Sequence, residues 1–138
     1  MSGKVLAIDY GDARTGLAFS DTLGILCGEA FTVNEWNPER LADTVAELAA
    51  SRQVSVLVLG LPKNMDGSEG PRAEKCRAFK TLLEERTGLN VVLWDERRSS
   101  IEAHNILRAV GKKEKKHRST VDAVAASLLL EGYLGSLH

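Results

Sequence analysis

Three separated stretches of this 138-residue chain place carboxylates where an apolar run ends or a helix begins. Asp9 directly follows Val5-Leu6-Ala7-Ile8, and the chain then turns through Tyr10-Gly11-Asp12. Asp95 and Glu96 follow Val91-Val92-Leu93-Trp94, and Asp122 lies in the most apolar helical stretch, Ser119 to Leu130. Carboxyl ends of strands in α/β sheets are where ligands collect. Neighbouring side chains on a strand point to opposite faces, so at most one of Asp95 and Glu96 is expected to share a site with Asp9. Oxygen-only donor sets favour hard cations such as Mg²⁺ or Mn²⁺, and neither a thiolate pair nor a histidine pair is offered here. Two such ions about 3.5–4 Å apart promote in-line attack on a phosphodiester, with carboxylates as ligands and an activated water as nucleophile. A Ser-His-Asp hydrolase is a poor fit, because His104, His117 and His138 all fall late in the chain and no G-x-S-x-G elbow is present.

Each acid also has a local explanation. Asp9 could cap a turn, and acids ahead of a helix favour its positive end. Ser119 and Asp122 have capping-box spacing, as do Ser99 and Glu102. An acid on so apolar a helix as the last is costly to desolvate unless something positive meets it. Capping and metal binding both remain open for Asp122 at this stage.

The net charge of −1 hides an uneven distribution. Lys112, Lys113, Lys115, Lys116 and Arg118 crowd one short stretch, with Arg97, Arg98 and Arg108 shortly before it, while acids gather on the two middle helical segments. Such asymmetry suits one face meant for a phosphate backbone, although a lysine run can equally be a solvated loop. With two Trp, two Tyr and three Phe, several needed for packing, no aromatic platform for unpaired bases is expected.

The elements that must hold these residues follow from periodicity. Strands are expected over Lys4 to Asp9, Thr15 to Ser20 and roughly Ile25 to Val33, joined by short turns and therefore antiparallel. Asn37-Pro38 opens a helix with Leu41, Val45, Leu48 and Ala49 on one stripe. A central strand over Val54 to Gly60, a helix over Pro71 to Arg86 and a strand over Asn90 to Asp95 come next. Helical periods resume over Ser99 to Val110 and Ser119 to Leu134. The order implies an α/β fold with a mixed five-stranded sheet and helices on both faces. Length, 43% hydrophobic and 27% charged residues, and the lack of any linker or repeat predict one domain over residues 1–138. No stretch is apolar enough to cross a membrane, and Asp9 interrupts what would be a signal peptide. Cys27 and Cys76, without CxxC spacing, are expected to be buried thiols of a reduced, cytoplasmic compartment.

These motifs together resemble the YqgF (RuvX) family, small bacterial relatives of the Holliday-junction resolvase RuvC in the ribonuclease-H-like superfamily. The resemblance is carried by AIDYGDARTGLAFSD (7–21), LVLGLPKNMDGSEGPRAEKCRAF (57–79), WDERRSSIEA (94–103) and VDAVAASLLLEGYL (121–134). It implies a ribonuclease-H-like fold and a nuclease whose catalytic and metal-holding acids are Asp9, Glu96 (with Asp95 as the alternative) and Asp122. It also implies maturation of the 5′ end of pre-16S ribosomal RNA, with four-way DNA junctions as the other substrate class, by a monomer or a homodimer. Arg98 stands where the family's DER motif is usually followed by Leu, adding charge beside the site, and Lys115 to Arg118 supply the family's Lys-rich loop. A nucleic-acid-binding module that does not cut is the main alternative. A two-domain ATP-binding fold, whose first loop is similar, needs a longer chain.

Overall fold

The computed structural model describes residues 3–21, 27–95 and 118–137, and the side chains of all of these except 118–121. Its sheet has five strands: β1 (Lys4–Asp9), β2 (Arg14–Ser20), β3 (Cys27–Asn34), β4 (Val54–Leu61) and β5 (Asn90–Asp95). They lie in the order β3-β2-β1-β4-β5. β1, β2 and β3 are antiparallel neighbours, whereas β4 runs parallel to β1 and β5 parallel to β4. This is the mixed sheet expected from the spacing of the apolar runs. The parallel pairs follow from the helices that separate their strands: α1 (Pro38–Ser51) precedes β4 and α2 (Pro71–Thr87) precedes β5. The third helix described, α3 (Arg118–Ser136), closes the chain.

Local chemistry sets the helix ends. The Asn37 side chain accepts hydrogen bonds from the Glu39 and Arg40 N–H groups at 2.8 and 3.3 Å, and Pro38 takes the first turn of α1. Such a cap contributes about 1 kcal/mol. α2 ends where Gly88 adopts φ +69°, a left-handed conformation that Gly reaches without a Cβ penalty.

Alternation along the strands divides the interior in two. Leu6, Ile8, Leu17, Phe19, Leu57 and Leu59 point toward α1 and α2, meeting Leu41, Val45, Phe79 and Leu83. Val5, Ala7, Ala18, Val58 and Trp94 point the other way and meet Ala126, Leu129, Leu130 and Leu134 of α3. Helices therefore cover both faces, as anticipated.

Some expectations need correction. The third strand runs to Asn34 rather than Val33, and its expected start at Ile25 lies outside the described residues. Cys76 is buried, but Cys27 is only half-buried because it starts an edge strand; its thiol meets the Ser127 hydroxyl at 3.7 Å. Arg118 opens α3 rather than ending a loop. The helix expected over 99–110 lies outside the described residues. Among the described residues no helix is long and apolar enough to cross a membrane.

Candidate active site

The site grows from the end of β1. Asp9 is the last residue of that strand, and the alternation that sends Val5 and Ala7 toward α3 puts Asp9 on the same face. Its register partner across the antiparallel pair is Gly16 of β2. Partners of this kind lie about 4.5–5.5 Å apart between Cα atoms. Gly16 in turn lies directly beneath α3: a Cβ built there would overlap the backbone carbonyl of Asp122 and crowd the Ala126 side chain. The missing side chain is what lets the helix backbone rest on the strand. Gly16 thus links two acids from opposite ends of the chain, one as a sheet partner and the other as a packing neighbour.

The turn after Asp9 is held from several sides. The Gly11 N–H donates to the buried Thr15 hydroxyl at 3.2 Å, and Arg72 of α2 donates to the Tyr10 carbonyl at 2.6 Å and to Asp12 Oδ1 at 3.0 Å. The Asp12 carboxyl is held below the usual carboxylate range, chiefly by the charge of Arg72 and then by the Lys75 hydrogen bond.

Asp122 does not behave as a solvent-facing cap. α3 already starts at Arg118, no acid lies in its first turn, and the Asp122 side chain is 25% exposed. Its Oδ2 lies 3.2 Å from Arg14 Nε, but that oxygen is fully buried and the contact lacks hydrogen-bond alignment. Burial pushes the Asp122 carboxyl above its ordinary value, and Arg14 offsets only part of that shift. A carboxylate whose desolvation is incompletely repaid has room for more positive charge beside it. Hard oxygen donors and an under-compensated buried oxygen fit a divalent cation.

Of the sequence-predicted acids, the structure brings Asp9 and Asp122 to one face around Gly16. Asp95 belongs to the other face: it follows the alternation of Val91 and Leu93, which pack toward α1 and α2, whereas Trp94 packs toward α3. Glu96 lies outside the described residues, as do Arg98, Lys112, Lys113, Lys115 and Lys116, and the Arg118 side chain is not described either. Among the described residues, no three His, Cys, Asp or Glu side chains gather as a metal cluster.

Two features escaped the sequence reading. The first is Arg14, which opens β2 and whose even spacing from Gly16 and Ala18 puts it on the α3 face, beside the partly buried Asp122 carboxylate. The second feature is a cavity that no single stretch of sequence marks. Tyr10, Trp36 and Phe79 line a cavity of about 430 Å³ at the α1/α2 side of the same sheet edge.

Comparisons with known proteins agree with this architecture. Residues 3–136 match the RuvX family, described as Holliday junction resolvase. A protein of Halothermothrix orenii named "Putative pre-16S rRNA nuclease" is 40% identical over 131 residues, covering 95% of this chain and 94% of the relative. One of the same name from Lachnospira eligens is 36% identical over 136 residues, covering 96% and 97%. Among solved structures, T. thermophilus RuvC in complex with Holliday junction substrate aligns with a TM-score of 0.64 at 13% identity, over 98% of this chain and 96% of that one. At that identity the likeness shows the fold, which is that of the RuvC-like resolvases. The extent of the family match and the identity to its full-length relatives lead to one conclusion: this chain belongs to the RuvX family.

Proposed function

We propose that this chain is a nuclease that hydrolyses phosphodiester bonds of nucleic acid in the cytoplasm, as one domain over residues 1–138, in 5′-end maturation of pre-16S ribosomal RNA. The names of its full-length relatives support the reaction and the substrate. The observation that carries the site is the Asp122 carboxylate, whose Oδ2 is buried without a hydrogen-bond partner on the same sheet face as Asp9, with its own backbone resting on Asp9's strand partner.

Asp9, Glu96 and Asp122 would hold Mg²⁺ or Mn²⁺. Alternation along β5 favours Glu96 over Asp95, because Asp95 follows the face turned away from Asp9. The chemistry such ions supply when bound is polarisation of the scissile phosphate and neutralisation of charge that builds during in-line displacement. The chain's own residues do the rest. Asp9 sits on a central strand and Asp122 on a helix seated against a glycine, so their separation is set by rigid elements rather than by loops. Arg14 partly neutralises Asp122, and its guanidinium has the fork geometry that matches a phosphate oxygen pair. The basic residues Arg98, Lys112, Lys113, Lys115, Lys116 and Arg118 would bind the phosphate backbone and set the strand's path.

The test is incubation of end-labelled pre-16S RNA, and separately a four-way DNA junction, with Mg²⁺ or Mn²⁺ and the unmodified, Asp9→Asn and Asp122→Asn proteins. Cleavage by the unmodified protein and loss of at least about a hundredfold in both variants is expected, since even groups that only support metal ligands cost about 10–100-fold. Variants that cut as fast as the parent would show the site to be wrong. If no preparation cuts either substrate while RNA is still bound, a binding module that does not cut becomes the better reading.

A further inference from the structure

Arg14 opens β2 at the end of the sheet where β1 stops, on the face that α3 covers. It stands two positions outward from Gly16, about 7 Å along the strand, whereas Asp9 and the Asp122 backbone flank Gly16 itself. Asn34, its register partner on β3, is exposed, and the Arg14 side chain is itself 37% exposed. The guanidinium therefore lies at the open lip of the site, outside the two acids. Asn34 and the next pair inward, Gly16 and Thr32, carry no charge. Among the described residues, Arg14 is thus the cation that meets Asp122.

This pairing differs from those that brace the fold. Arg52 grips Glu29 with two guanidinium nitrogens at 2.8 and 3.1 Å, and Arg77 grips Glu69 in the same way at 2.6 and 2.7 Å. Aligned, two-pronged bonds of that kind hold both partners in one geometry. Arg14 instead meets Asp122 Oδ2 through Nε at 3.2 Å without an aligned hydrogen bond, and that buried oxygen has no hydrogen-bond partner among the described residues. Its charge is met, but its lone pairs are not. A contact of this kind is readily exchanged for a hard cation, which an orphaned carboxylate oxygen suits better. A guanidinium and a divalent ion cannot both press on one oxygen without repelling each other. An arginine released from that contact, on a partly exposed arm at the end of a strand, has its planar fork free for phosphate oxygens.

We propose that Arg14 occupies the cation's place beside Asp122 in the metal-free protein and turns to a phosphate of the substrate once a divalent ion takes that carboxylate. The exchange ties metal loading to substrate capture, because the fork is released only when another cation meets the acid. This rests on the proposed nuclease reading and names the residue that grips the backbone at the site itself.

Two binding measurements on the full chain, neither of which needs cleavage, test it. In the first, Mn²⁺ is titrated without RNA and the free ion is followed by electron paramagnetic resonance. Arg14→Gln is expected to bind Mn²⁺ about three- to fivefold more tightly than the parent, the scale of one partly solvated charge pair. Arg14→Lys keeps the charge and should stay near the parent value. A residue that only supported the fold would weaken metal binding when removed. The second is a double-mutant cycle of RNA affinity in metal-free buffer, with a labelled single-stranded RNA oligonucleotide. Arg14→Gln should cost less than about twofold while Asp122 holds the guanidinium, and about fivefold in the Asp122→Asn background, where it is free. Mn²⁺ affinity that is unchanged or weaker in Arg14→Gln, or equal RNA losses in the two backgrounds, would overturn the proposal. The nuclease reading is judged separately: if Asp9→Asn and Asp122→Asn cannot cut yet Arg14→Gln fails these tests, only the role of Arg14 falls. Parent-like Mn²⁺ affinity in Asp122→Asn would instead put the ion elsewhere and overturn the site along with the proposal.

Discussion

Near the end of β1 the two faces of the sheet are built from side chains of different size. Toward α1 and α2 the strands present Leu6, Ile8, Leu17, Phe19, Leu57 and Leu59, and the helices answer with Leu41, Phe79 and Leu83. Toward α3, the residues near the end of β1 are small: Ala7, Gly16, Ala18 and Ala126. Large side chains bury area and hold the layers apart, whereas small ones let a helix backbone touch the sheet. Near that end the first face contributes more of the burial that stabilises the fold. The second accepts less burial there and in return brings a helical carboxylate onto the strands. That division fits the charge pattern too, since the partly buried acid with incomplete compensation, Asp122, lies over the small residue Gly16.

The contrast breaks if stability and activity respond alike on the two faces. Leu83→Ala, at a fully buried position on the α2 side, should lower unfolding free energy by about 2–5 kcal/mol through lost burial and the cavity left behind. Urea denaturation measures the loss, and cleavage per folded molecule should stay near the parent value. Asp122→Asn should do the reverse, abolishing cleavage while leaving the urea midpoint unchanged or raised, because it removes a partly desolvated charge that Arg14 only partly repays. A large stability loss in Asp122→Asn would mean that the Arg14 contact supports the fold, and the division between faces would fail.

Much of this division can be read along the chain. Short turns between the first three apolar runs force antiparallel pairing, helices between later runs allow parallel pairing, and alternation alone separates Ala7 and Asp9 from Leu6 and Ile8. What cannot be read locally depends on which strand meets which helix. Spacing from Ser119 offered Asp122 a capping role, but its burial is a tertiary fact created by Gly16, more than a hundred positions away. Nothing near Arg14 in the sequence marks it as a partner for an acid, because that acid belongs to the last helix. The cavity beside Trp36 takes its walls from three segments that share no motif, so no window of sequence contains it. Cys27 has the composition of a buried residue but starts the strand at the sheet's margin, where one side lacks a neighbour.

Gly16→Ala sharpens the comparison at its hinge. The added methyl would overlap the Asp122 carbonyl, and backbone gives way less easily than the end of a side chain. Overpacking of this kind costs about 1–3 kcal/mol, so the fold should survive with a lower urea midpoint. Activity should fall by more than the fraction unfolded explains, because α3 and Asp122 are lifted from Asp9. The same substitution at Gly135, which has open space around it, is the control, with little expected change in either measurement. Equal effects at Gly16 and Gly135 would mean that the close approach of α3 has no bearing on the site.

The smallest expected effect compares two carboxylates that respond to acid in opposite senses. Glu29 lies on the edge strand β3, and its carboxyl is held below the ordinary value of 4.5, first by the hydrogen bonds from Arg52 at 2.8 and 3.1 Å. A lowered value means that ionised Glu29 stabilises the fold above pH 4.5 and that this contribution is lost as pH falls through the folded-state value. Asp122 is raised above its ordinary value of 3.8 by burial, so its contribution is present below that pH and is lost as pH rises through the folded-state value. In metal-free buffer, Glu29→Gln should therefore be slightly less stable than the parent at neutral pH, with the gap closing as pH falls below 4.5 through the lowered folded-state value. The Asp122→Asn protein should match the parent in acid and gain on it as pH rises toward neutral. Glu29 is half exposed, so solvent screening keeps its share small, and urea midpoints taken across this range must resolve a modest difference. If both variants drift the same way with pH, burial is not what governs Asp122, and the under-compensated oxygen loses its meaning as a place for a cation.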